Sequence, residues 1–117
     1  MNKEKTELEK IIHEVYDKAL GMEDKVSSLN YFDKGFNLLE KAGYNLEDHR
    51  DYSFKMVMER IFDEGYEIPD NAKALNKIKY GIEKVENSGY DVSKYKGIYL
   101  DLFEFHLSEN YFGLKLN

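Results

Sequence analysis

The feature that most constrains this chain is a phrase it says twice. Glu40–Asp48 reads EKAGYNLED and Glu86–Lys94 reads ENSGYDVSK, 46 residues later. At that offset Leu29 falls on Leu75, Gly35 on Gly81, Leu46 on Val92 and Phe54 on Leu100. A finer beat runs inside it. A glycine followed by a hydrophobe recurs every 22 to 24 residues, at Gly21, Gly43, Gly65, Gly89 and Gly113. Glycine just past a helix end takes the left-handed conformation without a Cβ penalty, and the hydrophobe after it folds back onto the last turn. The spacing therefore predicts five helix stops. Ser27, Asp48, Asp70 and Ser93 are the expected N-caps, and Pro69 blocks a helix from running through to Asp70.

Between the stops, apolar residues follow helical spacing. Leu8, Ile11, Ile12, Val15, Tyr16 and Ala19 form one stripe and Leu29, Phe32, Phe36 and Leu39 a second. Phe54, Val57, Met58, Ile61 and Phe62 form a third, and Leu75, Ile78, Ile82 and Val85 a fourth. Gly97–Leu107 (GIYLDLFEFHL) also permits a strand reading by alternation. Its alignment with Tyr52–Ile61 makes it helix, and its apolar character on most sides predicts the most buried helix of the five.

The expected fold is all-α: an antiparallel bundle of about five helices in one domain over residues 1–117, with helix 1 at about 4–20. The tandem helical-hairpin repeat would cover about 27–64 and 70–112. A period of this length also fits solenoids, but those are normally built from three or more repeats, so a bundle with internal pseudo-symmetry is preferred. Gly35 and Gly81, interior to helices 2 and 4, are expected where two helices cross closely, which would offset the roughly 1 kcal/mol that glycine costs in a helix.

Composition limits the function. The chain has 117 residues, a net charge of −6 and no cysteine. A disulfide framework and thiolate chemistry are excluded, and the acidic balance argues against direct nucleic-acid binding. The charged N-terminus, MNKEKTELEK, has no apolar segment of the secretory kind. No apolar run is long enough to span a membrane, so a cytoplasmic location is expected. Lysine outnumbers arginine fifteen to two, the usage of an AT-rich genome such as that of a Firmicute or its phage.

No catalytic motif is found, and no metal or cofactor is expected. His13-Glu14 lacks the second histidine at i+4 that a zinc helix needs, because position 17 is Asp17. The polar run NLEDHRDY, Asn45–Tyr52, is read first as a solvated helix start, where acids complement the dipole. His106, between Phe105 and Leu107, is read as structural. Lys73, Lys77 and Lys84 share a helix face with Tyr80, read as a solvated face.

What remains is aromatic content. Ten tyrosines and seven phenylalanines exceed what five apolar stripes absorb. Tyrosine gives large contact area at low entropy cost, and acids beside it suit a basic partner. The expected function is a non-enzymatic interaction module, a small inhibitor, immunity or phage-encoded antagonist protein. Its partner protein would be bound through Tyr31, Tyr44, Asp48, Tyr52, Tyr80, Tyr90 and Tyr95. A second copy of the chain is a further class of partner. The alternatives are a metal-dependent enzyme in which His13, His49 or His106 converge with carboxylates, and a regulator of a nucleic-acid-binding protein.

Overall fold

The computed structural model describes residues 3–110, with side chains described over 6–107. The chain is all-α, as expected. Five helices follow one another: α1 (Lys3–Leu20), α2 (Lys25–Lys41), α3 (Glu47–Tyr66), α4 (Asn71–Asn87) and α5 (Ser93–Asn110). There is no strand among the described residues, so Gly97–Leu107 is helical. Contacts cluster into two units, Met1–Val57 and Met58–Asn117, and the division falls inside α3.

In the first unit α1 packs on α2. Val15, Ala19, Leu29, Phe32, Phe36 and Leu46 are buried there. The Ser28 hydroxyl, also buried, donates to the Ala19 carbonyl at 2.7 Å and ties the end of α1 to α2. In the second unit α4 packs on α5. Met58, Ile61, Ile78, Ile82, Val85 and Val92 form its core. The first four apolar stripes thus supply most of the buried side chains among the described residues.

Local geometry recurs at the 46-residue offset. α2 and α4 are both 17 residues long and begin at Lys25 and Asn71. Their N-caps are Asp24 and Asp70, whose carboxylates accept from the amides of Val26 at 3.1 Å and Lys73 at 3.0 Å. Gly43 and Gly89 hold φ of 100° and 99°, and each amide donates 3.0 Å to Glu40 or Glu86. Leu46 and Val92, both buried, accept the first helical bonds of α3 and α5, each at 2.9 Å, from Arg50 and Lys96.

Gly35 and Gly81 are close-packing points. A Cβ at Gly35 would stand 3.1 Å from a Val15 methyl, and one at Gly81 would stand 2.7 Å from the Ile61 Cγ2. Val15 and Ile61 are themselves 46 residues apart.

Three local expectations are corrected. The α2 cap is Asp24 rather than Ser27, which sits inside the first turn and donates its hydroxyl to Asp24 at 3.0 Å. Asp48 and Ser93 also lie within their helices, and the capping oxygens come from Asn45 and Asp91, which accept from Glu47 and Ser93 at 3.1 and 3.0 Å. Of the five glycine stops, only Gly43 and Gly89 have positive φ among the described residues. Gly65 lies inside α3, where the Ile78 side chain occupies the space a Cβ would need, and Gly113 is outside the described residues.

The fourth correction concerns α5, which is not the most buried helix. Ile98, Leu100, Phe103 and Phe105 are 39%, 54%, 38% and 51% exposed. α5 packs on α4, but among its described residues Tyr95 alone is buried.

Candidate functional site

In the first unit, α1 and the first half of α3 bound an open groove of about 490 Å³. Its floor is apolar: Ile12, Tyr16 and Leu20 from α1, and Tyr52 and Met56 from α3. Glu9, His13, Asp17 and His49 complete the lining, with no lysine or arginine among the described lining residues.

Tyr16 is the hinge of this arrangement. Its ring meets Phe32 edge-on at 5.1 Å and stands 6.2 Å from Tyr52. Its hydroxyl lies 3.1 Å from His49 Nδ1 and donates, at 3.3 Å, to the His49 carbonyl. Burial raises the Tyr16 pKa, and the Tyr52 hydroxyl nearby adds to this, so Tyr16 remains a neutral phenol at physiological pH. Aromatic packing and these two contacts hold the start of α3 to α1. Tyr52, one turn further on and 56% exposed, presents its ring at the groove.

The neighbouring Arg50 serves structure. Its guanidinium contacts Glu40 at 2.5 Å, Asp33 at 3.4 Å and the Asn37 carbonyl oxygen, and lies 5.9 Å from the Phe36 ring centre. The hydrogen bond from Arg50 lowers the Glu40 pKa, and the same bond raises that of Arg50. Lys96 and Glu86, at the offset positions, pair at 2.5 Å. The run Asn45–Tyr52 is therefore more than a solvated turn: His49 and Arg50 clamp α3 to α1 and α2.

The tyrosines selected from the sequence divide. In the first unit, Tyr52 is on the groove with exposed Asp48 one turn before it. Tyr31 and Tyr44 are half-buried and do not line it. The Tyr44 amide closes the α2 cap by donating to Leu39 at 3.3 Å. In the second unit, Tyr80 is 62% exposed, with the Lys84 ammonium 5.5 Å above its ring. Tyr90 is half-buried. Tyr95 is buried in the core, its ring 6.4 Å from that of Phe62, so it offers no outer surface.

The sequence reading missed Ile12, Tyr16 and Leu20 as groove residues. The first two sit in the α1 apolar stripe, and nothing in that stripe separates core members from groove members. A second hollow, of about 420 Å³, lies within the other unit and is lined by Tyr66, Leu75, Ile78, Leu102, Phe105 and His106 among others. Leu20 and Tyr66, and Met56 and Leu102, are pairs 46 residues apart, so each unit carries a groove built partly from matched positions.

For metal chemistry, His13 and His49 line the same groove, and His13 Nε2 is 3.8 Å from Asp17. Among the described residues, no group of three histidine, aspartate or glutamate side chains is placed to hold a metal ion. No described helix is long and apolar enough to cross a membrane. Comparison with protein-family models, curated proteins and solved structures finds no match to this chain.

Proposed function

We propose that the protein is a non-enzymatic interaction module that binds a basic surface of another protein in the α1–α3 groove. The observation that supports this most is the exposed Tyr52 ring on an apolar floor, beside the carboxylates of Glu9 and Asp17 and with no lysine or arginine among the described lining residues. Such a surface suits a lysine or arginine whose aliphatic stem lies on the rings while its charge meets the acids. Asp48 extends the acidic field along α3. Tyr31 and Tyr44 lie off this groove, and Tyr80 and Tyr90 belong to the second unit. An inhibitor, immunity or antagonist protein would work this way, by covering a functional basic surface of its target. That target includes the case of a nucleic-acid-binding enzyme.

The test is a cross-linked pull-down from the native cells with wild-type chain and Tyr52→Ala. The wild type should retain one protein at near-equal amount. The variant should lose at least tenfold in retention, as expected for truncating an aromatic anchor, with an unchanged helical signal. Equal retention by the two chains would refute the groove as the contact surface.

A further inference from the structure

Among the described residues, α5 carries an exposed apolar flank. Leu100, Phe103 and Leu107 lie three and four residues apart on one face. At the offset positions of α3, Phe54 is half-buried while Val57 and Ile61 are buried, and Ile61 fills the space beside Gly81 of α4. α1 meets α2 in the same way, Val15 against Gly35. In α5 the equivalent face is open, with Leu100 54% and Phe103 38% exposed.

Gly97 adds an independent observation. Gly35, Gly65 and Gly81, the other helix-interior glycines, each have a branched side chain filling their Cβ space. Among the described residues, nothing stands within 4 Å of where a Cβ at Gly97 would lie. A glycine that weakens its helix is thus placed next to Leu100 with no neighbour of its own to admit. Charges frame the same face. Lys96 and Glu104 lie four residues before and after Leu100.

We propose that this flank is a two-fold interface between two copies of the chain, an antiparallel pair of α5 helices crossing at Leu100. Residues equidistant from Leu100 then face one another. Phe103 of each copy seats over Gly97 of the other, as Ile61 seats over Gly81. Lys96, which already pairs with Glu86 at 2.5 Å, meets Glu104 of the second copy. The face is self-complementary in shape and in charge, which a two-fold contact requires. A hollow of about 280 Å³ beside Leu100, lined in part by Ile82, Lys96 and Tyr99, gives incoming side chains room.

Sedimentation equilibrium of the full chain tests this over roughly 1–100 µM, the range in which modest interfaces of this kind dissociate. The wild type should be dimeric at the upper end. Leu100→Asp places a charge on the axis, and Gly97→Leu fills the seat of Phe103. Each should raise the dimer Kd at least tenfold. Because the space over Gly97 is open in the single chain, Gly97→Leu should fold with an undiminished helical signal, separating lost association from lost structure. Tyr52→Ala should leave the dimer unchanged. A chain that stays monomeric throughout, or a dimer that withstands either α5 variant, overturns the proposal.

Discussion

At the scale of single residues, glycine does two different jobs here, and substitution separates them. At Gly35 and Gly81 alanine gains about 1 kcal/mol in helix propensity but drives a methyl into Val15 or Ile61. Overpacking of this kind costs about 1–3 kcal/mol. Gly81→Ala should therefore be net destabilising and worse than Gly35→Ala, because its contact would be 2.7 Å against 3.1 Å. At Gly43 and Gly89 the cost is conformational. Alanine at φ near +100° should lose about 1–2 kcal/mol. Urea denaturation of the four variants checks the order. Charged residues give a pH dependence. The Arg50 hydrogen bond lowers the Glu40 pKa, and the Ser93 hydroxyl and amide lower that of Asp91. A carboxylate whose folded pKa is depressed contributes stability above its unfolded pKa and loses it as pH falls through the folded value. Glu40→Gln and Asp91→Asn should thus have lower Tm than wild type at pH 7, with the gap closing as pH drops below the ordinary carboxylate range. A gap that is constant with pH would contradict this. The close approach at Gly35 and Gly81 was legible because both glycines interrupt clean apolar stripes. The bond between Tyr16 and His49 was not, since nothing local marks two side chains 33 residues apart as neighbours.

At the scale of elements, the helix count and approximate bounds are written in apolar spacing and glycine punctuation, while the ends depend on competition among nearby groups. Asp24, Ser27 and Ser28 crowd the start of α2. Periodicity alone favours Ser27, but Asp24 captures the Val26 amide and the Ser27 hydroxyl together. Gly65 resembles Gly43 in sequence, yet α3 continues through it because Ile78 needs the space. Asp24→Ala and Asp70→Ala should each cost about 1 kcal/mol, measurable by chemical denaturation, whereas Asp48→Ala, inside its helix, should cost less. α5 shows the limit of reading burial from composition. An all-round apolar helix is expected to be enclosed, but α5 has α4 on one side and open flanks beside it. How many helices surround it is a property of packing that its own residues do not encode.

At the scale of the whole molecule, each unit has its own core and its own groove, and matched positions 46 residues apart contribute to both. The grooves differ in chemistry. The first combines two tyrosines with Glu9 and Asp17, while the second is lined by Tyr66, Phe105 and His106 over aliphatic residues, with no carboxylate among them. That difference is why the proposed basic partner is sought at the first. Tyrosine enrichment was visible in the sequence, and Tyr52 was one of six tyrosines named from it. Its groove partners were hidden because α1 uses one stripe for both core and surface. Lys73, Lys77 and Lys84 form an exposed face with Tyr80. Replacing Lys73 and Lys77 with glutamine should leave partner retention within about twofold, since rim charges away from a contact change affinity little. Photo-cross-linking asks whether a partner rests on Tyr52. A benzophenone amino acid placed at position 52, and separately at position 80, is irradiated in the native cells. One protein should be captured covalently from position 52 and absent from position 80. Equal capture from both positions, or none from position 52, would rule out Tyr52 as the point of contact.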